Sequence, residues 1–336
     1  MILITGATGL LGSQISLDLL KKGEKLRLFH HSTNSKDKLL KYFNHFQLSE
    51  NTISTQIEWF QGDIRSLHDV EEAMIGIEKV VHCAALVTFS KRKFNLLFQI
   101  NREGTANCVN IALKLGIKRF VYISSTAAVG SDSEKNEKIK RETNHWNGNE
   151  KVSSYSLSKY SAEKEVWRGI EEGLNAVILN PSVIFGAGSW NDSSLKILRT
   201  IKGGLKYYTS GANAFVDARD VSDIVVRLID SEIKGERFLL TGTNIAFKEL
   251  FFIIADRLNV KRPSKLAGAF LTGLAWRLDS FRCFFTRKEP TITKESAASS
   301  QAIQIYSSEK IKTIFPDFEF KTIEETIDFS VKNELN

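Results

Sequence analysis

Tyr155 and Lys159 stand four residues apart in the run SSYSLSKY (153–160), so on a helix they share one face. A tyrosine phenol titrates near 10 and is a poor base at neutral pH; lowering it by about three units takes roughly 4 kcal/mol. An ammonium about 4 Å away supplies that order of energy at an effective dielectric near 20. The spacing therefore predicts a phenol acidified by Lys159, exchanging a proton with an alcohol or carbonyl oxygen while a nicotinamide moves a hydride. Tyr-x-x-x-Lys pairs occur by chance on many helices, so a dinucleotide site elsewhere in the chain has to support this one.

The opening residues supply that site. MILITGATGLLGS places Gly6, Gly9 and Gly12 three residues apart, directly after an apolar run. Glycine in a helix costs about 1 kcal/mol relative to alanine, so the cluster must gain something, and the gain is close approach of a ligand. In a strand-to-helix turn one glycine permits the tight turn, one lets the backbone reach a pyrophosphate, and one lets helix and strand pack closely. The helix N-terminus adds free N–H groups and partial positive charge. Thr8, Leu10 and Leu11 belong to the same loop and join Gly6, Gly9 and Gly12 as expected cofactor contacts. An acid about 20 residues further on would bond the ribose hydroxyls and repel a 2′-phosphate. LFHHSTNSKDK (28–38) carries no acid at its start, and His31, Ser32 and Lys36 suit a phosphate. NADP(H) is the favoured cofactor and NAD(H) the alternative; the competing view leaves His30 and His31 simply facing solvent.

Six short apolar or β-branched runs must carry these groups: MILIT, KLRLF, IEWFQ, KVVHCAA, KRFVYISS and LNAVILNP. They alternate with segments such as 10–22, 91–115 and 153–172, long enough for crossover helices. That alternation predicts an α/β fold, a Rossmann doubly wound parallel sheet with helices on both faces. After NPSVIFGAG (180–188) the alternation breaks down, and from about 246 the chain reads mostly helical, as in FKELFFIIADRL and TIEETIDFSVKN. The expected division is a dinucleotide-binding domain over 1–182, rejoined by 215–245, and a smaller, mostly helical substrate lobe over 183–214 and 246–336.

At 336 residues, 42% hydrophobic and 25% charged, the composition is that of a globular protein and excludes a disordered chain. The net charge of +7 is scattered over KRK (91–93), KIKR (138–141), KRPSK (261–265) and RK (287–288), none long enough for a nucleic-acid arm. Cys83, Cys108 and Cys283 are odd in number and far apart, which argues against a disulfide framework or a zinc site; no metal is expected. The first strand begins at Met1 with no charged or apolar leader before it, so a cytoplasmic location is expected. LAGAFLTGLAWRLDSFRCFF (266–285) is interrupted by Arg277, Asp279 and Arg282, so it is expected to form one or two amphipathic helices and no membrane span.

FVYISSTAAVG (120–130) ends a strand in hydroxyl residues between the glycine loop and Tyr155. With the three motifs in this order the chain resembles an extended short-chain dehydrogenase/reductase of the NAD-dependent epimerase/dehydratase superfamily. It is most similar to the branch of dihydroflavonol 4-reductases and 3β-hydroxysteroid dehydrogenases. The resemblance covers nearly the whole chain, including FVDARDVSDIV (215–225) and YSSEKIKTIFPDFEFKTIEETI (306–327). It implies Ser125 as the catalytic hydroxyl, with Thr126 as the second choice, and Asn101 as a prop for the active-site backbone and a relay water. It further implies cofactor contacts at Asp63 and Ile64 in GDI, at Ala84 and Ala85 in HCAA, and at Pro181, Val183 and Ile184 in NPSVIF. Tyr155 and Lys159 also meet the cofactor, Lys159 orienting its ribose.

The implied activity is an oxidoreductase acting on a small-molecule ketone, aldehyde or secondary alcohol, with a homodimer as an open expectation. Sugar-nucleotide dehydratases carry Asp-Glu after the catalytic Thr, where this chain has Thr126 and Ala127. Epimerases place Tyr and Arg where this chain has Val129 and Asn180. A nucleotide-sugar epimerase with tightly held NAD and a non-catalytic NAD(P)-sensing regulator are the competing functions. His82 is expected to be a packing wall, and one of Asp217 and Asp220 a helix cap near Val221. Trp276 and the phenylalanines at 270, 281, 284 and 285 are expected to line an apolar pocket or a helical core.

Overall fold

Period-two burial builds the sheet. In strand β5 (Arg119–Ile123), Phe120 and Tyr122 enter one core and Val121 and Ile123 the opposite one. β1 (Ile2–Thr5) does the same, with Ile2 and Ile4 on one side and Leu3 on the other. Strands buried on both faces read as continuous apolar runs, which is why six of them stood out.

In the computed structural model, residues 1–131, 139–146, 152–286 and 293–335 are described, without the side chains of Lys91, Ser193, Ser280, Phe284 and Phe285. Lys138, Arg287, Lys288 and the rings of Phe284 and Phe285, named above, therefore lie outside the described residues. Strands β2 (Leu26–His30), β3 (Ile57–Gln61) and β4 (Lys79–His82) join β1, β5 and strands Ala176–Pro181 and Glu236–Leu240 in one seven-stranded sheet. All six pairings are parallel, and the order is 236–240, 176–181, β5, β4, β1, β2, β3. The order reverses at β1, so ligands are expected beyond the carboxyl ends of the strands beside it.

Helix α1 (Leu10–Lys21), α2 (Thr33–His45) and helix Ala218–Leu228 cover one face of the sheet; helices Gly104–Lys114 and Ser154–Glu171 cover the other. The C-terminal region adds a three-stranded sheet, 243–246, 212–217 and 183–185, and a third core around Phe185, Trp190, Phe215, Leu250 and Ile327. Residues 215–245 thus divide: Glu236–Leu240 pairs with Ala176–Pro181 in the large sheet, while 212–217 pairs in the small one. Segment 266–285 forms a single helix, Ala269–Thr286. Among the described residues no helix is long and apolar enough to cross a membrane.

Candidate active site

The glycine loop is shaped by contacts no side chain could enter. Gly6 sits at φ +67, and a Cβ there would lie 2.7 Å from the Ala84 nitrogen. A Cβ on Gly12 would lie 2.2 Å from the Gly6 carbonyl oxygen. Gly9 differs: a Cβ would meet only that same oxygen, at 3.4 Å, so Gly9 leaves open space before the helix. It is the N-cap of α1 with no side-chain cap and no acid in the first turn, so the leading N–H groups remain available. A cavity of about 470 Å³ opens there, bordered by Thr8, Gly9, Leu10, Asn34, Lys38 and Lys41. The cradle and these free donors fit the dinucleotide that the sequence calls for. Farther along the same edge, the buried hydroxyl of Ser182 has no partner among the described residues.

Every sequence-derived candidate lies beyond the carboxyl end of a parallel strand or packs against one. His31 follows β2 and is exposed; Asp63 follows β3, its carboxyl held below the usual range by hydrogen bonds from Arg65. Ile64 is buried and would be struck by a Cβ on Gly104, which fixes helix Gly104–Lys114 close to β3. Ala84 follows β4, its N–H donating to the Thr5 hydroxyl at 3.3 Å, and Ala85 beside it is exposed. Leu11 is buried in the α1 core. Pro181 ends its strand, and Val183 and Ile184 pair with Phe215 and Val216 in the small sheet. Ser32 spends its hydroxyl capping α2, and Lys36 lies 4.9 Å over the Trp59 ring; the cations bordering the glycine cavity are Lys38 and Lys41.

Asn101 sits in a π-helical turn, Gln99–Glu103, and is 1% exposed. Its amide clasps Leu86 from both sides, accepting from the N–H at 2.7 Å and donating to the C=O at 3.0 Å, and donates to Ser158 at 2.9 Å. It thus ties the strand-end loop to the helix that carries Tyr155. His82 accepts or donates between Thr5 (2.6 Å) and Thr105 (2.9 Å), and burial pushes it down to about 3. A neutral imidazole bridging β1, β4 and the next helix is a packing wall, as expected. Asp217 caps helix Ala218–Leu228, three residues earlier than anticipated, and buried Asp220 holds Lys321 at 2.9 Å.

Ser125 follows β5; its hydroxyl accepts from the Ala127 N–H at 3.1 Å and stands near enough to the Tyr155 phenol to influence it. Tyr155 and Lys159 do share a face of helix Ser154–Glu171, yet the electrostatics differ from those read off the spacing. The Lys159 ammonium turns inward, donating to the Ile123 carbonyl (2.9 Å) and the Tyr122 hydroxyl (3.2 Å), and lies 4.8 Å over the Tyr122 ring. Burial pushes Tyr155 up to about 12, with the neighbouring Ser125 hydroxyl opposing. The acidified phenol is therefore corrected: Lys159 reaches β5 before it reaches the phenol. Burial brings Lys159 itself down to about 8, with Glu163 and Cys83 opposing.

Glu163 went unnoticed in the sequence. It is 2% exposed and accepts from Ser124 Oγ (2.6 Å), Asn180 Nδ2 (2.7 Å), Arg237 Nη1 (3.0 Å) and Trp167 Nε1 (3.3 Å). Asn180 Nδ2 also donates to the Ser125 carbonyl at 2.9 Å, so this buried network sets the backbone that presents the Ser125 hydroxyl. The i+8 spacing from Tyr155 on one helical face was the available signal; Arg237 arrives from a distant strand. Trp276 is half-buried, but Phe270 and Phe281 are 86% and 66% exposed, so those two rings face largely outward and away from the expected pocket or core. Among the described residues no cluster of three His, Cys, Asp or Glu could hold a metal ion.

A seven-stranded parallel sheet with a glycine cradle at its first turn, and a hydroxyl against a tyrosine at the edge of β5, defines a nicotinamide-dependent enzyme of the extended short-chain dehydrogenase/reductase type. Residues 2–240 match the NAD dependent epimerase/dehydratase family, and the chain belongs to that family. It is 29% identical over 302 residues to Sterol demethylase protein B of Methylococcus capsulatus, covering 88% of this chain and 86% of that one. It is 27% identical to a putative dihydroflavonol 4-reductase of Synechocystis (80% and 75% covered) and 29% identical to a UDP-glucose 4-epimerase of Vibrio cholerae (68% and 66% covered). The crystal structure of gox2253 superposes with a TM-score of 0.79 at 26% identity, covering 99% and 97% of the two chains.

Proposed function

We propose that this enzyme reduces a small-molecule ketone or aldehyde, or oxidises the matching secondary alcohol, with Tyr155 as the acid/base and Ser125 as the hydrogen-bond partner of the reacting oxygen. Lys159 and Asn101 position that pair, and Lys159 orients the cofactor ribose. The nicotinamide, when bound, supplies the hydride. The observation that carries the proposal is the Ser125 hydroxyl set against the Tyr155 phenol at the sheet edge that also bears the glycine cradle.

A phenol pushed up to about 12 stays protonated at neutral pH, so it stands at the site in the form that has a proton to give to a carbonyl oxygen. NADP(H) is the preferred cofactor: β2 ends without an acid, and Lys38 and Lys41 border the cavity over the helix N-terminus. The relatives named for sterol and dihydroflavonol chemistry favour an apolar, ring-bearing ketone as substrate. The test is a thermal-shift comparison of NADPH with NADH, followed by a panel of steroid, flavonoid and aldehyde carbonyls. NADPH should give the larger shift, and at least one carbonyl should consume it in a Tyr155-dependent way. A larger shift with NADH overturns the cofactor assignment. Co-purified oxidised cofactor with no net consumption overturns the reductase in favour of an epimerase.

A further inference from the structure

Helix Ala269–Thr286 turns its apolar side outward. Phe270 is 86% exposed, Leu278 61% and Leu274 44%, and Phe281, at 66%, continues the row. On a helical wheel these four fall within about 80° of one another, and Arg277 and Arg282 stand at the two margins of the row. Buried Cys283 and half-buried Thr272 occupy the opposite face, which is the one turned toward the protein.

The sequence around this helix is basic. Residues 261–288 hold seven Lys or Arg and one acid, Asp279, a net +6 of the chain's +7. Arg262 and Arg282 form ion pairs with Asp256 and Asp279, while Lys261, Lys265 and Arg277 are also exposed. A second copy docking here through two-fold symmetry would set this basic segment against itself. A row of large apolar side chains flanked by cations instead complements a surface that is apolar below and anionic above.

We propose that helix Ala269–Thr286 lies in the plane of an anionic lipid bilayer, with Phe270, Leu274, Leu278 and Phe281 at the acyl boundary and Lys261, Lys265 and Arg277 among the headgroups. The helix rests on the surface and does not cross it.

The test is co-sedimentation of the full chain with vesicles of phosphatidylcholine, alone or with phosphatidylglycerol as about a third of the lipid. Binding is expected to the mixed vesicles, and to weaken about tenfold or more when salt is raised to about 1 M. The double variant Phe270→Ser/Leu278→Ser should lose about tenfold or more of that binding. Lys265→Gln/Arg277→Gln should lose the preference for the anionic lipid. None of these side chains belongs to the active site, so an unchanged melting temperature and dinucleotide-induced shift identify each variant as folded. No sedimentation of the folded parent chain with mixed vesicles overturns the proposal, as does equal binding by the Phe270→Ser/Leu278→Ser variant. A dimer in light scattering that this variant dissociates, without lipid binding, also overturns it and gives the face to a second copy. Because no outcome depends on turnover, a failure here leaves the proposed reaction standing.

Discussion

Replacing Lys159 by Met removes a charge that the fold holds at a cost. The ammonium is 2% exposed, and burial lowers it from 10.5 to about 8. A drop of that size corresponds to about 3 kcal/mol of unfavourable burial of the cation. Below pH 8 folded and unfolded chains both carry the proton, and the full cost is present. Between pH 8 and 10.5 the folded chain releases the proton while the unfolded chain keeps it, so stability rises with pH through that window. Lys159→Met has no such group. At pH 7 it escapes the cost but leaves the Ile123 carbonyl and Tyr122 hydroxyl without their donor, at about 1 kcal/mol each. The variant should therefore be about 1 kcal/mol more stable than the parent at pH 7 and about 2 kcal/mol less stable near pH 10.5, while turnover is lost. Guanidinium unfolding of both proteins at several pH values measures this. The raised tyrosines and cysteines titrate in both proteins and cancel in the difference. A difference that moves by less than about 1 kcal/mol across the window would refute the assignment of Lys159 as a buried cation.

Gly12→Ala should lower the melting temperature and abolish dinucleotide binding: overlap with the Gly6 carbonyl costs about 1–3 kcal/mol and outweighs the helix-propensity gain. Gly9→Ala should melt like the parent yet bind NADPH weakly, since its Cβ meets the ligand side of the loop; unchanged affinity in titration calorimetry would contradict the cradle. Glu163→Gln strips a buried carboxylate from Arg237 and should cost about 3–5 kcal/mol in guanidinium unfolding. It should also move the alkaline limb of the pH–rate profile to lower pH, because Glu163 holds Lys159 up. Cys108 is fully buried and its thiol is pushed well above the usual range, so a thiol reagent at pH 8 should label it only after unfolding.

The parallel sheet was legible because its strands are buried on both faces and announce themselves as apolar runs. The glycine loop was legible because its spacing is set by backbone overlap at Gly6 and Gly12, a local constraint. Ser125 and Asn101 came from resemblance, and the structure gives each a hydrogen-bonding position at the strand edge. What spacing could not convey was direction. Tyr155 and Lys159 share a helical face, but Tyr122 and Ile123 arrive from another strand and capture the ammonium. Glu163 was silent for the same reason, since Arg237 lies 74 residues away. An apolar helical stripe reads alike whether it faces a core or the outside, so the exposure of Phe270 and Leu278 became visible only in three dimensions.

The central claim is that Tyr155 gives the proton to the reacting oxygen, and the most direct measurement is steady-state reduction by Tyr155→Phe beside its NADPH-induced thermal shift. The phenyl ring keeps the packing against Phe89 and loses only the hydroxyl. The expected result is a fall in turnover of about 10²-fold or more with the thermal shift retained. Turnover equal to the parent's, with the variant folded and saturated with NADPH, would contradict the account.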